Sequence, residues 1–373
     1  MHVLAGQEEL CSGVQVASRA LPGRTPAPMF GGVLLAAQGS QLRLVGTDGE
    51  LRIECWIPAK IKEEGTVVLP GRYLGDILRS LPGGEVEVSA EPSGHVAQLR
   101  WGRSEFSIHG FPAQEFPADE AQGLQGPLLI ERRALATLLR QTVFAVSRDD
   151  ARPVLTGAQF TFAQSALEAV ATDGFRLAFS RVPMAAASGA APQGTRALIP
   201  GRALAELERL VGAGDEPVGV FLGQRQAAFN LGSARLSTSL IEGQFPNYQQ
   251  VIPRSFQSRA RVSRQALHDA CERASLVSRD GSNAVRLSLT PERLEVSAQS
   301  PDVGWVREEL DLTLEGESME IAFNARYLME GLRAADSDEV QFEASGPLSP
   351  SRLLTPGGED FFYLVLPLRP TGA

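Results

Sequence analysis

The sequence predicts an α+β fold of three similar modules, each an antiparallel sheet with helices on one face. Apolar residues alternate along short segments such as LRLVGTD, ALEAVATD and RLEVSAQ, the period of strands joined by tight turns. Between such segments lie stretches with apolar residues at i, i+3, i+4 and i+7, the period of amphipathic helices. Both kinds of segment recur at one spacing, near 125 residues, and 373 residues accommodate three copies.

Each copy starts with a helical stretch: EELCSGVQVASRAL at 8–21, ERRALATLLRQTVFAVS at 131–147 and SRQALHDACERASLVS at 263–278. Strands follow around GTDGELRIEC and ATDGFRLAFS, with Asp173 lying 125 residues after Asp48, and around the weaker SAQSPDVGWVREEL at 297–310. A second helix comes next, in LPGRYLGDILRSLPGGEVEV (69–88), IPGRALAELERLVGAGDEPVGV (199–220) and FNARYLMEGLRAADSDEVQFEA (323–344). Arg72, Arg202 and Arg326 open these helices, spaced by 130 and 124 residues. The first two copies close on a strand and Phe-Pro, in SEFSIHGFPAQEFP and ARLSTSLIEGQFPNYQQVIP, and the third on EDFFYLVLPLRP. The modules are therefore placed at 1–124, 127–252 and 256–373.

Composition bounds the function. Apolar residues make up 43% and the net charge is −9, the wrong sign for a surface that meets phosphate everywhere, so any contact with nucleic acid is local. Basic residues cluster in RRALATLLRQTVFAVSR, with Arg132, Arg133, Arg140 and Arg148 and no acid. Cys11, Cys55 and Cys271 are odd in number and lack CxxC spacing, which argues against disulfides and zinc and for a reducing cytoplasm. No apolar run approaches the roughly 20 residues of a membrane span, and the N-terminus has no signal-peptide pattern.

Asp48 and Asp173 each sit in Thr-Asp-Gly, where Asp bonds nearby backbone and Gly accepts positive φ, so a turn explains both. A metal-dependent hydrolase using the two acids is the competing reading. It lacks support from any GxSxG, HExxH, P-loop or GxGxxG pattern, and the four histidines pair with no acid or Cys in ligand spacing. The chain reads as a non-enzyme without metal or cofactor; a peptide-binding adaptor without DNA is a third possibility.

With the modules laid out, ATDGFRLA (171–178), IEGQFPNYQQVIP (241–253), LPGRYLGDILRSLP (69–82), FNARYL (323–328) and YLVLPLR (363–369) resemble the bacterial DNA sliding clamps, the β subunits of replicative polymerases. The motifs span all three modules in order. The resemblance implies a head-to-tail homodimer, each chain half of a closed ring, with sheets outside and two helices per module inside around duplex DNA. Binding would be topological and independent of sequence, with replicative polymerase, clamp loader and other clamp-binding proteins as partners. It implies DNA-facing roles for Arg24 and Arg152; Arg72 and Arg202 at helix starts, and Arg148 in the basic segment, are added to them.

By the same match, a partner-peptide groove is built from Leu155, Thr172, Gly174, Phe175, Arg176, Leu177, Pro246 and Val251 with Leu364, Leu366, Pro367, Leu368 and Arg369. Core packing competes as an explanation for Leu364. The family frequently has His at Phe175 and Met at Leu366 and Leu368, so this groove is expected to be more apolar. The implied subunit contact sets Phe106 and Ile108 against Leu276 and Val277. Because Phe106 and Ile108 share one strand face, an intramodule core explains them equally well.

Overall fold

Each module opens on a strand that runs straight into its first helix. In the computed structural model, which describes residues 1–23, 28–91, 95–118, 123–163, 165–184, 194–212, 214–278 and 283–369, the first module comprises β1 (His2–Gly6), α1 (Gln7–Ser18), β2 (Gly32–Gln38), β3 (Gln41–Thr47), β4 (Leu51–Pro58), β5 (Lys60–Glu63), β6 (Gly65–Pro70), α2 (Gly71–Ser80), β7 (Glu85–Ala90), β8 (Val96–Trp101) and β9 (Ser104–His109). The second comprises β10 (Gln125–Ile130), α3 (Arg132–Thr142), β11 (Gly157–Phe162), β12 (Ala166–Thr172), β13 (Arg176–Pro183), β14 (Thr195–Pro200), α4 (Gly201–Val211), β15 (Val218–Leu222), β16 (Gln226–Asn230) and β17 (Ala234–Ser239). The third comprises β18 (Ser258–Ser263), α5 (Arg264–Val277), β19 (Ala284–Leu289), β20 (Leu294–Ser300), β21 (Gly304–Leu310), β22 (Leu312–Gly316), β23 (Met319–Asn324), α6 (Ala325–Ala334), β24 (Glu339–Ala344), β25 (Ser351–Leu354) and β26 (Phe361–Val365). The six helices fall where the periodicity places them. The leading strands β1, β10 and β18 are additional to the sequence reading.

Two four-strand orders recur. One is β1-β7-β8-β9, matched by β10-β15-β16-β17 and β18-β24-β25-β26; the other is β6-β2-β3-β4, matched by β14-β11-β12-β13 and β23-β19-β20-β21. Sheets run across module borders, because β17 pairs antiparallel with β4 and β13 with β26. The chain's contacts accordingly divide into two compact units that cut the middle module. The first holds Met1–Arg132 with Glu206–Leu240, and the second holds the rest of the middle module with everything from Ile241 onward. In the first unit lie a five-stranded sheet, β5 to β9, and an eight-stranded sheet, β10 to β6; in the second lie a nine-stranded sheet, β14 to β22, and a four-stranded sheet, β21 to β23.

Helix faces follow the leucine period. Leu10, Val14 and Ala17 of α1 are buried, as are Leu74 and Leu78 of α2, Leu204 and Leu207 of α4, and Leu328 and Leu332 of α6. Gly46 in β3 lets α1 close onto the sheet, since a β-carbon there would stand 2.0 Å from the Ala17 carbonyl oxygen. Ser263 and Asn324 cap the third module's helices, accepting from the N–H groups of Ala266 at 3.3 Å and Arg326 at 3.0 Å. Cys11, Cys55 and Cys271 are buried and free, and burial pushes the thiols of Cys55 and Cys271 up to about 12.

Candidate functional site

The loop between β12 and β13 is built by its own side chains. Thr172 Oγ1 donates to the Arg176 carbonyl at 2.6 Å and accepts from the Gly174 N–H at 3.1 Å. Asp173 Oδ1 accepts from the N–H groups of Phe175 at 2.9 Å and Arg176 at 3.1 Å, while Gly174 takes a φ of +94°. The first-module copy repeats this: Thr47 Oγ1 donates to Leu51, Asp48 Oδ1 accepts from Glu50 at 2.9 Å and Leu51 at 2.7 Å, and Gly49 has a φ of +98°. Both aspartates spend a carboxylate oxygen on their own turn. Among the described residues, the one trio with ligand atoms close enough to share a metal ion is His268, Asp269 and Glu272, which contains neither. The His268 ring is itself occupied, with Nε2 accepting from Arg333 at 2.9 Å and Nδ1 facing Asp269 at 3.2 Å.

The two copies part at the residue that ends the turn, Leu51 in one and Arg176 in the other. Arg176 is buried, and its guanidinium donates to Asp173 Oδ2 at 2.9 Å, to the Phe144 carbonyl at 2.7 Å and to Glu330 on α6. It also lies 4.5 Å from the centre of the Tyr327 ring and 5.5 Å from that of Phe144. Glu330 in turn accepts from Arg326 at 3.0 Å. Tyr363 on β26 donates to the Tyr327 carbonyl at 2.9 Å. Arg176, expected as a groove residue, thus clasps the turn to α6 from below.

Beside the turn, Leu155, Leu177 and Leu364 form one buried cluster with Val170, Phe179, Leu198, Phe245, Leu354 and Phe362, and Val154, Ile241, Tyr248 and Ile252 pack around it. Phe179 stacks on Phe362 at 4.8 Å between ring centres. The expected rim stands open: Phe175 is 58% exposed, Val251 54% and Leu366 39%. β26 ends at Val365, and the Leu366 N–H then bonds the Phe175 carbonyl at 2.9 Å and the Leu368 N–H the Ala322 carbonyl at 2.7 Å. Pro367, between these two donors, needs no partner for a missing N–H. Pro367 and Leu368 are half-buried, whereas Pro246 and Arg369 are exposed. The arrangement is an apolar floor with three apolar side chains left over it, able to hold an apolar segment but offering no nucleophile or acid-base pair.

The expected DNA contacts divide. Arg24 lies outside the described residues. Arg72 and Arg202 are exposed in the first turns of α2 and α4, and Arg148 is exposed after α3. Arg152 lies over the groove turn, donating to the Asp173 carbonyl at 3.2 Å. Within the basic segment, Arg132 donates to the carbonyls of Val211 and Leu231, both at 2.8 Å, and Arg140 to that of Ala334 at 3.0 Å, so part of the positive charge is structural. Of the expected interface residues, Ile108 belongs to the first unit's core and Phe106 packs half-buried against it, while Leu276 is 51% exposed and Val277 half-buried at the end of α5. Sequence reasoning missed Val303, just before β21, and Trp305, within it, exposed at 60% and 73%; an aromatic in a terminal strand rich in charge was the available signal.

Comparison with known proteins covers almost the whole chain. Residues 1–120, 129–247 and 249–369 match the family models for the N-terminal, central and C-terminal domains of the DNA polymerase III beta subunit. The chain is 36% identical over 375 residues to the beta sliding clamp of Synechococcus elongatus, covering 99% of both chains. It is 32% identical over 361 residues to that of Staphylococcus aureus, covering 94% of both. A DNA polymerase sliding clamp from Bacillus subtilis superimposes with a TM-score of 0.92 at 30% identity over 99% of both chains. A sliding clamp from Pseudomonas aeruginosa, bound to griselimycin, does so at 0.91 and 29% over 99% of both.

Proposed function

The chain belongs to the DNA polymerase III beta subunit family, the bacterial beta sliding clamps, and on that premise we propose that two copies close head to tail into a ring that encircles duplex DNA. The family is a non-catalytic one, so Asp48 and Asp173 are turn formers and the hydrolase reading falls. The modules are 1–124, 127–252 and 256–373, and the protein works in the cytoplasm. No described helix is long and apolar enough to cross a membrane.

One observation carries the ring. Each chain makes two module junctions internally, β4 with β17 and β13 with β26, and leaves β9 and β21 terminal in the places those junctions fill. A third junction, made twice between two copies, fills those places and closes six modules. Phe106, Ile108, Leu276 and Val277 flank it.

The charge fits encirclement. Each phosphate neutralised by Arg or Lys steepens binding and its salt dependence, so a chain of net charge −9 with its DNA contacts confined to Arg24, Arg72, Arg148, Arg152 and Arg202 holds duplex weakly and without regard to sequence. The ring itself supplies retention.

Replicative polymerase, clamp loader and other clamp-binding proteins dock by a short apolar segment over Phe175, Val251 and Leu366, onto the floor of Leu155, Leu177 and Leu364. Burial there contributes about 25 cal/mol per Å² of apolar area. Solution mass tests the assembly. Light scattering should give twice the 40.0 kDa of one chain, and a monomer at all concentrations would overturn the ring.

A further inference from the structure

Strand pairing carries the groove's floor into the third module. Residues opposed on neighbouring antiparallel strands share a sheet face, with β-carbons about 5 Å apart, so one row can be followed outward from the turn. Thr172 faces Leu177, Leu177 faces Leu364, Leu364 faces Arg352, Arg352 faces Glu343 and Glu343 faces Arg259. In this row the apolar floor ends at Leu364, and the next side chain on the same face is a cation.

The Arg352 guanidinium is fixed in place. Its side chain is 15% exposed, its Nε donates to Glu343 Oε2 at 2.7 Å, and the centre of the Phe256 ring lies 4.8 Å away. Glu343, 3% exposed, also accepts at Oε1 from Arg259 at 3.1 Å and from Gln341 at 2.9 Å, so both of its oxygens are occupied. One buried carboxylate thus serves two arginines. Arg259 also stands opposite Glu315 on β22, at the far end of the row. Arg352 Nη1 lies 3.6 Å from Glu359 Oε1, too long for a hydrogen bond, and the Glu359 side chain is 77% exposed.

We propose that Arg352 is a specificity-determining residue of the groove, its Nη1 taking an acidic side chain of the docking segment, Asp or Glu, in place of Glu359. The proposal rests on the groove reading and adds the kind of segment the groove prefers, an apolar run with a carboxylate beside it. A guanidinium already held by a buried acid and a ring loses little freedom when it binds. Displacing Glu359 forfeits one exposed, loosely made pair, which is worth little. The same cation disfavours a segment that brings Lys or Arg to that end of the floor, so it discriminates as well as attracts.

The test uses the full chain and short labelled peptides, acetylated and amidated, with three central leucines flanked by serines. Each carries one Asp, before or after the leucines, and each has an Asn twin. At one of the two positions the Asp peptide should bind about three- to tenfold more tightly than its twin at low salt, between the worth of an exposed pair and that of a hydrogen bond to a charged group. Arg352→Gln should erase that ratio. Glu359→Gln, which leaves Arg352 and Glu343 in place, should widen it about twofold or more, and it decides alone if Arg352→Gln does not fold. Equal affinity of Asp and Asn peptides at both positions, a ratio that persists in folded Arg352→Gln, or one that Glu359→Gln leaves unmoved overturns the role of Arg352. Discrimination that appears only when an Asn peptide is given a free C-terminus overturns it too, since the ligand would then be a chain end. If no peptide binds the unsubstituted chain, or if Phe175→Ala with Leu366→Ala leaves binding undiminished, the groove reading has failed and this one with it.

Discussion

Arg176→Ala is expected to lower the unfolding free energy by about 3 kcal/mol, the low end of what removing one partner from a buried ion pair costs. The Arg176 side chain is 6% exposed, and its removal takes the guanidinium from Asp173 and Glu330, which at 14% and 19% can still reach some water and keep their bonds from the turn N–H groups and from Arg326. That partial access sets the low end. The Phe144 carbonyl also loses a donor, and two rings lose the cation stacked on them. Arg176→Lys should fall between the two, because one ammonium cannot satisfy Asp173, Glu330 and Phe144 in their present directions. Urea unfolding measures both variants. A loss below about 1 kcal/mol for Arg176→Ala would mean the network is no stronger than a surface salt bridge.

The second large effect is on partner binding. Phe175→Ala with Leu366→Ala should weaken an apolar clamp-binding peptide by about 30- to 1000-fold, from about 2–4 kcal/mol of lost apolar burial. Stability should change by less than about 1 kcal/mol, since both side chains are largely exposed and the bond from the Leu366 N–H to the Phe175 carbonyl survives truncation. Leu177→Ala is a poorer probe. Leu177 is 4% exposed within a cluster of nine buried residues, so its truncation should cost about 2–5 kcal/mol of folding, and lost binding would not separate a contact from a collapsed floor. Fluorescence anisotropy with a labelled peptide, beside thermal melts, decides the point. Unchanged affinity in the double variant would move the docking site away from this rim.

What the sequence disclosed was mainly local. Leucine periods marked all six helices, and Thr-Asp-Gly marked two turns that superimpose bond for bond. The acid in the turn attracts attention, but the distinguishing residue is the one that ends it, Arg176 against Leu51. Its partner Glu330 lies 154 residues away, a separation that no local pattern bridges.

Other contacts are out of local reach for the same reason. Arg152 follows a basic helix in the sequence, and its bond to the Asp173 carbonyl crosses 21 residues. Ile108 reads equally as interface or core, and only the packing of β9 against the first unit's core puts it there. The continuous sheets, and hence the two compact units cutting the middle module, depend on β4–β17 and β13–β26 pairing between distant segments. The strand β21 was visible as SAQSPDVGWVREEL, but its standing as a terminal strand follows from what the other modules pair with.

Encirclement is the central claim, and release from DNA of different topology tests it most directly. A clamp loaded onto a nicked circular plasmid should remain bound through a wash in high salt and leave once a restriction enzyme linearises the circle, because a closed ring can depart only over an end. Contact by arginines alone would instead dissociate with salt from circle and line alike, since each phosphate contact is lost as counterions are restored. Equal release from both forms would contradict the ring.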